Sequence, residues 1–165
     1  MKKVFQLLAA LFFFGSSSLA LAYSDKATVI EGADIVKIER LAVAAPLYMP
    51  VKDAPSMEEL VRLLNEAAAV SKHQVVTYDV MAQHILRDRQ VDLYQTDRHV
   101  GAKVFRDQVA QYADAYVILT VANNSRTAFF FDVYEAGTNE LLYSYQIIAD
   151  RDDPDNVKTY TEMAQ

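Results

Sequence analysis

The spacing of hydrophobic and polar residues changes several times along the chain, and each change predicts an element. Over residues 36–48 apolar and polar positions roughly alternate, which predicts a first strand. Three prolines then bracket a loop. Apolar residues at helical spacing follow over 57–71, after a capping box in which Ser56 and Glu59 can satisfy each other's backbone N–H groups. These signals predict a strand, a loop and an amphipathic helix in that order.

The second half of the chain changes from helical spacing to strand spacing at residue 115. Before it, the pattern predicts a short strand at 75–78 and helices at 80–86 and 99–112. After it, alternating positions separated by turn residues predict three strands, at 116–122, 127–134 and 140–149. Pro154 suits the first turn of a final helix. We therefore predict an α/β (α+β) fold: a mixed sheet of about five strands ending in an antiparallel meander, with three to four helices packed on it.

The N-terminus has the features of an export signal. Lys2 and Lys3 precede an apolar run too short to cross a bilayer, and Ala20 and Ala22 supply the small-x-small pattern of a cleavage site. We predict a signal peptide at 1–22, a flexible leader at 23–35 and a single domain at 36–165. Because the sequence has no cysteine, lipid attachment through cysteine is excluded. The predicted location is the periplasm or the cell exterior, without a membrane anchor after cleavage.

The net charge of the chain limits the kinds of molecule that it is expected to bind. The 165-residue chain has 16 Lys plus Arg against 22 Asp plus Glu, a net charge of −6. Loss of Lys2 and Lys3 with the signal leaves 14 basic residues and a net charge of −8. Nucleic-acid binding needs concentrated positive charge, so it is not expected. All ten tyrosines remain in the predicted mature chain, a composition that favours a protein-binding surface.

Three segments read as strand and turn motifs of a known group. Residues 38–46 (IERLAVAAP) are a strand block ending in proline, 113–121 (ADAYVILTV) a second strand, and 131–142 (FDVYEAGTNELL) a strand and turn. Together they resemble the α/β domain shared by the N-terminal part of TolB, the curli-secretion protein CsgG and the penicillin-binding-protein activator LpoB. Two positions that are usually glycine in this group hold Tyr112 and Asn139. Asparagine tolerates left-handed backbone angles, so the turn at Asn139 is still expected. The resemblance covers roughly residues 36–150 and implies a non-enzymatic envelope adaptor.

No residue pattern indicates catalysis or a cofactor. His73, His84 and His99 lack metal-ligand spacing to one another, so no metal site is predicted. A Gly-x-Ser-x-Gly motif and a phosphate-binding glycine loop are both missing from the sequence. We therefore expect a protein that is not an enzyme and holds no cofactor.

Aromatic side chains give the candidate partner surface. Phe130 and Tyr134 share one face of a predicted strand, and that face is either exposed or covered by helices. Tyr48 and Met49 lie in the proline-bracketed loop. The favoured function is a protein-binding adaptor or assembly factor whose partner is another envelope protein or a second copy of itself. A periplasmic module for a small ligand or glycan is the alternative, and a hydrolase is third.

Overall fold

A six-stranded mixed sheet organises the chain. The computed structural model describes residues 23–69, 74–123 and 125–164. The strands are β1 (Ser24–Val29), β2 (Arg40–Val43), β3 (Gln74–Val76), β4 (Ala115–Asn123), β5 (Thr127–Glu135) and β6 (Leu141–Ile148). The helices are α1 (Met57–Ala69), α2 (Tyr78–Arg89), α3 (Arg98–Val109) and α4 (Val157–Ala164). The order across the sheet is β1-β6-β5-β4-β2-β3. The predicted class, meander and number of helices are confirmed.

The sheet has a parallel half and an antiparallel half. β2 lies parallel to both β3 and β4, while β4, β5 and β6 are joined by short turns and pair antiparallel. The turn between β5 and β6 uses Asn139 at a φ of 61°, as the sequence predicted for that position. The Asn139 side chain also accepts a hydrogen bond of 2.8 Å from the hydroxyl of Tyr116.

The segment predicted as a flexible leader, 23–35, contains a strand instead. β1 pairs antiparallel with β6 along its whole length, from Ser24 opposite Ile148 to Val29 opposite Tyr143. All six of its residues are exposed, so its sequence carries no alternation of buried and exposed positions. Pairing with the open backbone of β6 makes it a strand. This sixth strand exceeds the five or so that were predicted.

The first predicted strand, 36–48, is interrupted. A 3-10 turn at Ile35–Lys37 precedes β2, and β2 itself ends at Val43. The backbone still runs beside β4, because the Leu47 amide donates to Leu119 and the Leu47 carbonyl accepts from Val121. Pro46 has no N–H to donate, so regular pairing breaks there.

Helices cover both faces of the sheet. Residues of α1 and α4, including Leu60 and Tyr160, pack with Phe129 of β5 in one core. Residues of α2 and α3, including Ile85 and Phe105, pack with Tyr116 of β4 in the other. Full burial of one such side chain contributes about 1.5–3 kcal/mol. Among the residues described, no helix combines the length and the apolar character needed to span a membrane.

The helices α1 and α3 each begin at a residue that caps the helix N-terminus. The Ser56 hydroxyl accepts from the Glu59 amide at 3.2 Å, and the Glu59 carboxylate accepts from the Ser56 amide at 2.7 Å, which is the predicted capping box. Asp97 caps α3 by accepting from the amide of His99 at 3.0 Å. These caps set where α1 and α3 begin, at the same end of the sheet as the groove described next.

Candidate functional site

A groove of about 1930 Å³ opens at the carboxyl ends of the parallel strands. Its lining comes from the loop 44–49 after β2, from β4, from one side of α1, from the start of α2, from residues 93–96 and from one side of α3. In open α/β sheets, ligands bind at this end of the strands, because connections leave the sheet there on opposite faces. The connection from β2 leads to α1 on one face, and that from β3 leads to α2 and α3 on the other. The groove therefore lies where the fold itself leaves a crevice.

The inner surface of the groove is apolar and aromatic. Phe105 packs edge-on against Tyr116, with 5.8 Å between ring centroids, and stacks with Tyr78 at 6.5 Å. Ala44 and Ile118 line the same surface. These side chains come from the sheet and from the helices packed on it.

Exposed apolar side chains stand at the rim. Met49 is 80% exposed, Tyr94 55% and Leu47 47%, and all three line the groove. Arg98 of α3 donates a hydrogen bond of 2.9 Å to the Pro46 carbonyl. That bond holds the loop carrying Leu47 and Met49 against the start of α3.

Three of the four acidic groups that line the groove already have partners, and the fourth, Glu58, is exposed on α1. The Glu59 carboxylate completes the capping box, and the Ser56 backbone N–H lowers its pKa below the ordinary value. Glu66 forms an ion pair of 2.7 Å with Arg62. Tyr94 donates a hydrogen bond to Asp79. Burial, reinforced by that hydrogen bond, raises the pKa of Tyr94, which keeps its hydroxyl protonated as the donor.

Two arginine side chains of α3 line the groove, and neither forms an ion pair with a carboxylate of the described residues. Arg98 bonds to a backbone carbonyl rather than a carboxylate. Arg106 forms no ion pair with any described residue. Its charge reaches the phenol of Tyr116, where it opposes the rise in pKa that burial causes. By contrast, Lys103 on the same helix lies outside the groove and pairs with Asp107 at 2.6 Å. The groove side of α3 therefore presents positive charge without a carboxylate partner.

Asn123 places a side-chain amide beside the groove. The side-chain nitrogen of Asn123, at the end of β4, is buried and has no hydrogen-bond partner within the described part of the chain. Asn123 lines the groove.

The structure separates the four residues of the predicted partner surface. Met49 is exposed at the groove rim, as the loop prediction requires. Tyr48 is only 3% exposed, which corrects its placement on a surface. Its hydroxyl donates to the Pro55 carbonyl at 2.6 Å, and its ring packs edge-on against Tyr160. Tyr48 is buried because side chains alternate along the extended backbone there, so it points under the loop while Leu47 and Met49 point out.

Phe130 and Tyr134 lie on the sheet face that carries α2 and α3, and both are half-buried. Tyr134 stacks on Tyr116 at 5.4 Å. Phe130 lies opposite Thr120 of β4, one strand away from the inner surface of the groove. The face is thus neither fully covered nor fully open, and a partner role for these two residues stays a prediction.

The remaining predicted residues give no second site. Ala20, Ala22 and His73 lie outside the described residues. His84 stacks on Tyr112 at 4.5 Å, and His99 is exposed at the start of α3. Within the described ranges, no group of three or more His, Cys, Asp or Glu residues could hold a metal ion.

Comparison with solved structures shows what the fold is similar to. The LpoB C-terminal domain from Escherichia coli matches with a TM-score of 0.51 and 15% identity, covering 73% of this chain and 89% of that one. Two PelC dodecamer structures from Paraburkholderia phytofirmans score 0.42 and 0.41, at 10% and 8% identity. No family model and no curated protein matches the sequence. The LpoB-like fold expected from the sequence is confirmed, whereas the resemblance to TolB and CsgG stays a prediction.

Sequence reasoning missed the residues of α3 that line the groove. Arg98, Ala102 and Arg106 are four residues apart, so they share one side of the helix. That spacing is visible in the sequence. Only the fold, however, shows that this side of α3 faces the same crevice as the loop after β2.

Proposed function

We propose that this protein is a non-catalytic adaptor or assembly factor of the bacterial envelope, and that it binds its protein partner through the groove. The observation that carries the proposal is the pairing of a large apolar groove with exposed Leu47 and Met49 at its rim. Exposed apolar side chains gathered around a concave surface are typical of a protein-binding site.

The size of the groove favours a protein over a small molecule. Small-ligand sites enclose on the order of 300–1,000 Å³ and bury most of the ligand. The groove is about 1930 Å³ and is partly open to solvent. A small ligand or glycan would leave most of the apolar inner surface in water, while a segment of a partner protein would cover it.

The envelope location rests on two supports. One is the signal peptide predicted at 1–22, and the other is the fold shared with the LpoB C-terminal domain. On this proposal the mature protein is periplasmic or extracellular, without a lipid anchor.

A pull-down with two matched variants tests the proposal. Met49→Asp places a charge at the groove rim. Val36→Asp makes the same change at a residue that is 67% exposed but precedes β2, at the opposite end of the strand. Wild type and Val36→Asp should recover the same protein from a native envelope extract, and Met49→Asp should not.

Two results would contradict the proposal. Equal recovery by Met49→Asp would remove the groove as the binding site. If no protein is recovered and a sugar from a glycan panel raises the melting temperature, the protein is instead a glycan-binding module.

A further inference from the structure

We propose that the groove binds an amphipathic α-helix of the partner, and that acidic residues along one flank of this helix meet the groove side of α3. The inference rests on the proposed protein-binding function and adds the chemistry of the partner. It is drawn from the backbone pairing around the groove and from the distribution of its charged groups.

The backbone around the groove indicates a helix rather than a strand. An extended peptide binds by adding to a free sheet edge. The strand that runs along the groove, β4, is internal to the sheet. It pairs with β5 on one side and with β2 on the other, and beyond the end of β2 the backbone of Leu47 pairs with Thr120 of β4. A segment lying on the apolar inner surface must satisfy its own N–H and C=O groups, because buried unpaired ones are costly. A helix does so internally.

The volume is sufficient for such a helix. A helix about 10 Å across that rises 1.5 Å per residue occupies on the order of 120 Å³ per residue. A groove of about 1930 Å³ therefore has room for a helical segment of more than one turn.

The charged groups that line the groove determine which flank of the bound helix should carry acidic residues. Of the four carboxylates lining the groove, Glu59, Glu66 and Asp79 are engaged by a cap, an ion pair and a tyrosine hydroxyl, while Glu58 is exposed on the α1 side. On the α3 side, Arg106 has no ion-pair partner among the residues the structure describes, and Arg98 bonds to a carbonyl. The positive charge that is available to a partner therefore lies on α3, and it fits carboxylates on the bound helix.

The net charge of the chain does not cancel this preference. The whole chain is acidic, at −6. At physiological ionic strength, charges more than about 8 Å apart are largely screened from one another in water. Contact between carboxylates and Arg106 thus decides the preference at the groove, while distant acidic residues act weakly.

Two synthetic peptides test the inference. Both have about 18 residues with leucines on one helical face, both are stapled to be helical, and they differ only in carrying Glu or Lys along one flank. Binding is measured by fluorescence anisotropy at physiological salt. The Glu-flanked peptide should bind the wild-type protein about tenfold more tightly than the Lys-flanked peptide.

Charge-reversal variants locate the contact on α3. Arg106→Glu should weaken binding of the Glu-flanked peptide about tenfold. Lys103→Glu makes the same charge change on the same helix outside the groove and should change binding less than about twofold. Circular dichroism checks that both variants are folded, and Arg106→Gln, which should give an intermediate loss, separates lost attraction from added repulsion.

The outcomes divide the two proposals. Equal binding of both peptides, no binding of either, or equal effects of Arg106→Glu and Lys103→Glu would each overturn the helix inference. If this happens while Met49→Asp still abolishes recovery of a protein partner, the groove binds protein in another form. If recovery is also unaffected by Met49→Asp, the protein-binding groove itself is refuted.

Discussion

Tyr48 should stabilise the folded state, although the next residue in the chain is the exposed Met49. Replacing Tyr48 with Ala removes a ring that is 3% exposed and packs edge-on against Tyr160, with 5.8 Å between centroids. Truncation of a buried aromatic side chain costs about 3–5 kcal/mol, because the core keeps part of the cavity. For a domain of this size, that loss lowers the melting temperature by roughly 6–20 °C.

Tyr48→Phe separates the hydroxyl from the ring. The hydroxyl donates a buried hydrogen bond of 2.6 Å to the Pro55 carbonyl. Its removal leaves that carbonyl without its donor and should cost about 1–3 kcal/mol. Burial also raises the pKa of Tyr48, so the hydroxyl is protonated and donates throughout the neutral range.

Met49→Ala is the matched control. Met49 is exposed, so its truncation should change the free energy of unfolding by no more than about 0.5 kcal/mol. Urea unfolding followed by circular dichroism measures all three variants, and the dependence on urea should keep the same slope. The reasoning fails if Tyr48→Ala lies within about 1 kcal/mol of wild type, or if Met49→Ala is as destabilising as Tyr48→Ala.

Two further predictions concern pH. Burial and, secondarily, a hydrogen bond to Asp25 raise the pKa of Tyr145 to about 12. The contribution of Tyr145 to the free energy of unfolding is therefore complete below about pH 10 and is lost as the pH rises towards 12. Urea unfolding between about pH 9 and about pH 11 should show a shallower decline of stability with pH for Tyr145→Phe than for wild type, and identical declines would contradict this. The pKa of Glu59 is lowered first by the Ser56 backbone N–H and second by the Ser56 hydroxyl. The stability advantage of wild type over Glu59→Gln should therefore be present at neutral pH and vanish as the pH falls through the folded-state pKa. An NMR titration of Ser56→Ala, which removes the hydroxyl and keeps the backbone N–H, should show the Glu59 pKa moved only partway towards 4.5.

The elements that the sequence predicted well are those specified by nearby residues. The capping box at Ser56 and the helical spacing after it fix α1, and alternation with short turns fixes the meander of β4, β5 and β6. In each case the chemistry that forms the element lies within a few residues of it. Local patterns are therefore sufficient for these parts of the fold.

What the sequence could not predict depends on residues far apart in the chain. Tyr48 looks like a loop residue among prolines, and only α4 brings Tyr160 against it. β1 has six exposed residues and no alternation, and its strand character comes from β6. The groove likewise requires α1, α3 and the loop after β2 together. Of its residues, Met49 was predicted, while Arg98 and Arg106 were not.

The place of β1 in the sheet has a consequence for how the molecule folds. Among the described residues, β1 is the first strand of the sheet along the chain, yet its only neighbour there, β6, is the last strand. The hydrogen bond from Tyr145 to Asp25 joins residues 120 positions apart. Closing so long a loop costs entropy before any contact repays it, so such pairings form slowly. The parallel half and the meander can assemble from shorter loops. We expect β1 to add last, to a sheet already built, and to be the first strand that opens in native-state hydrogen exchange.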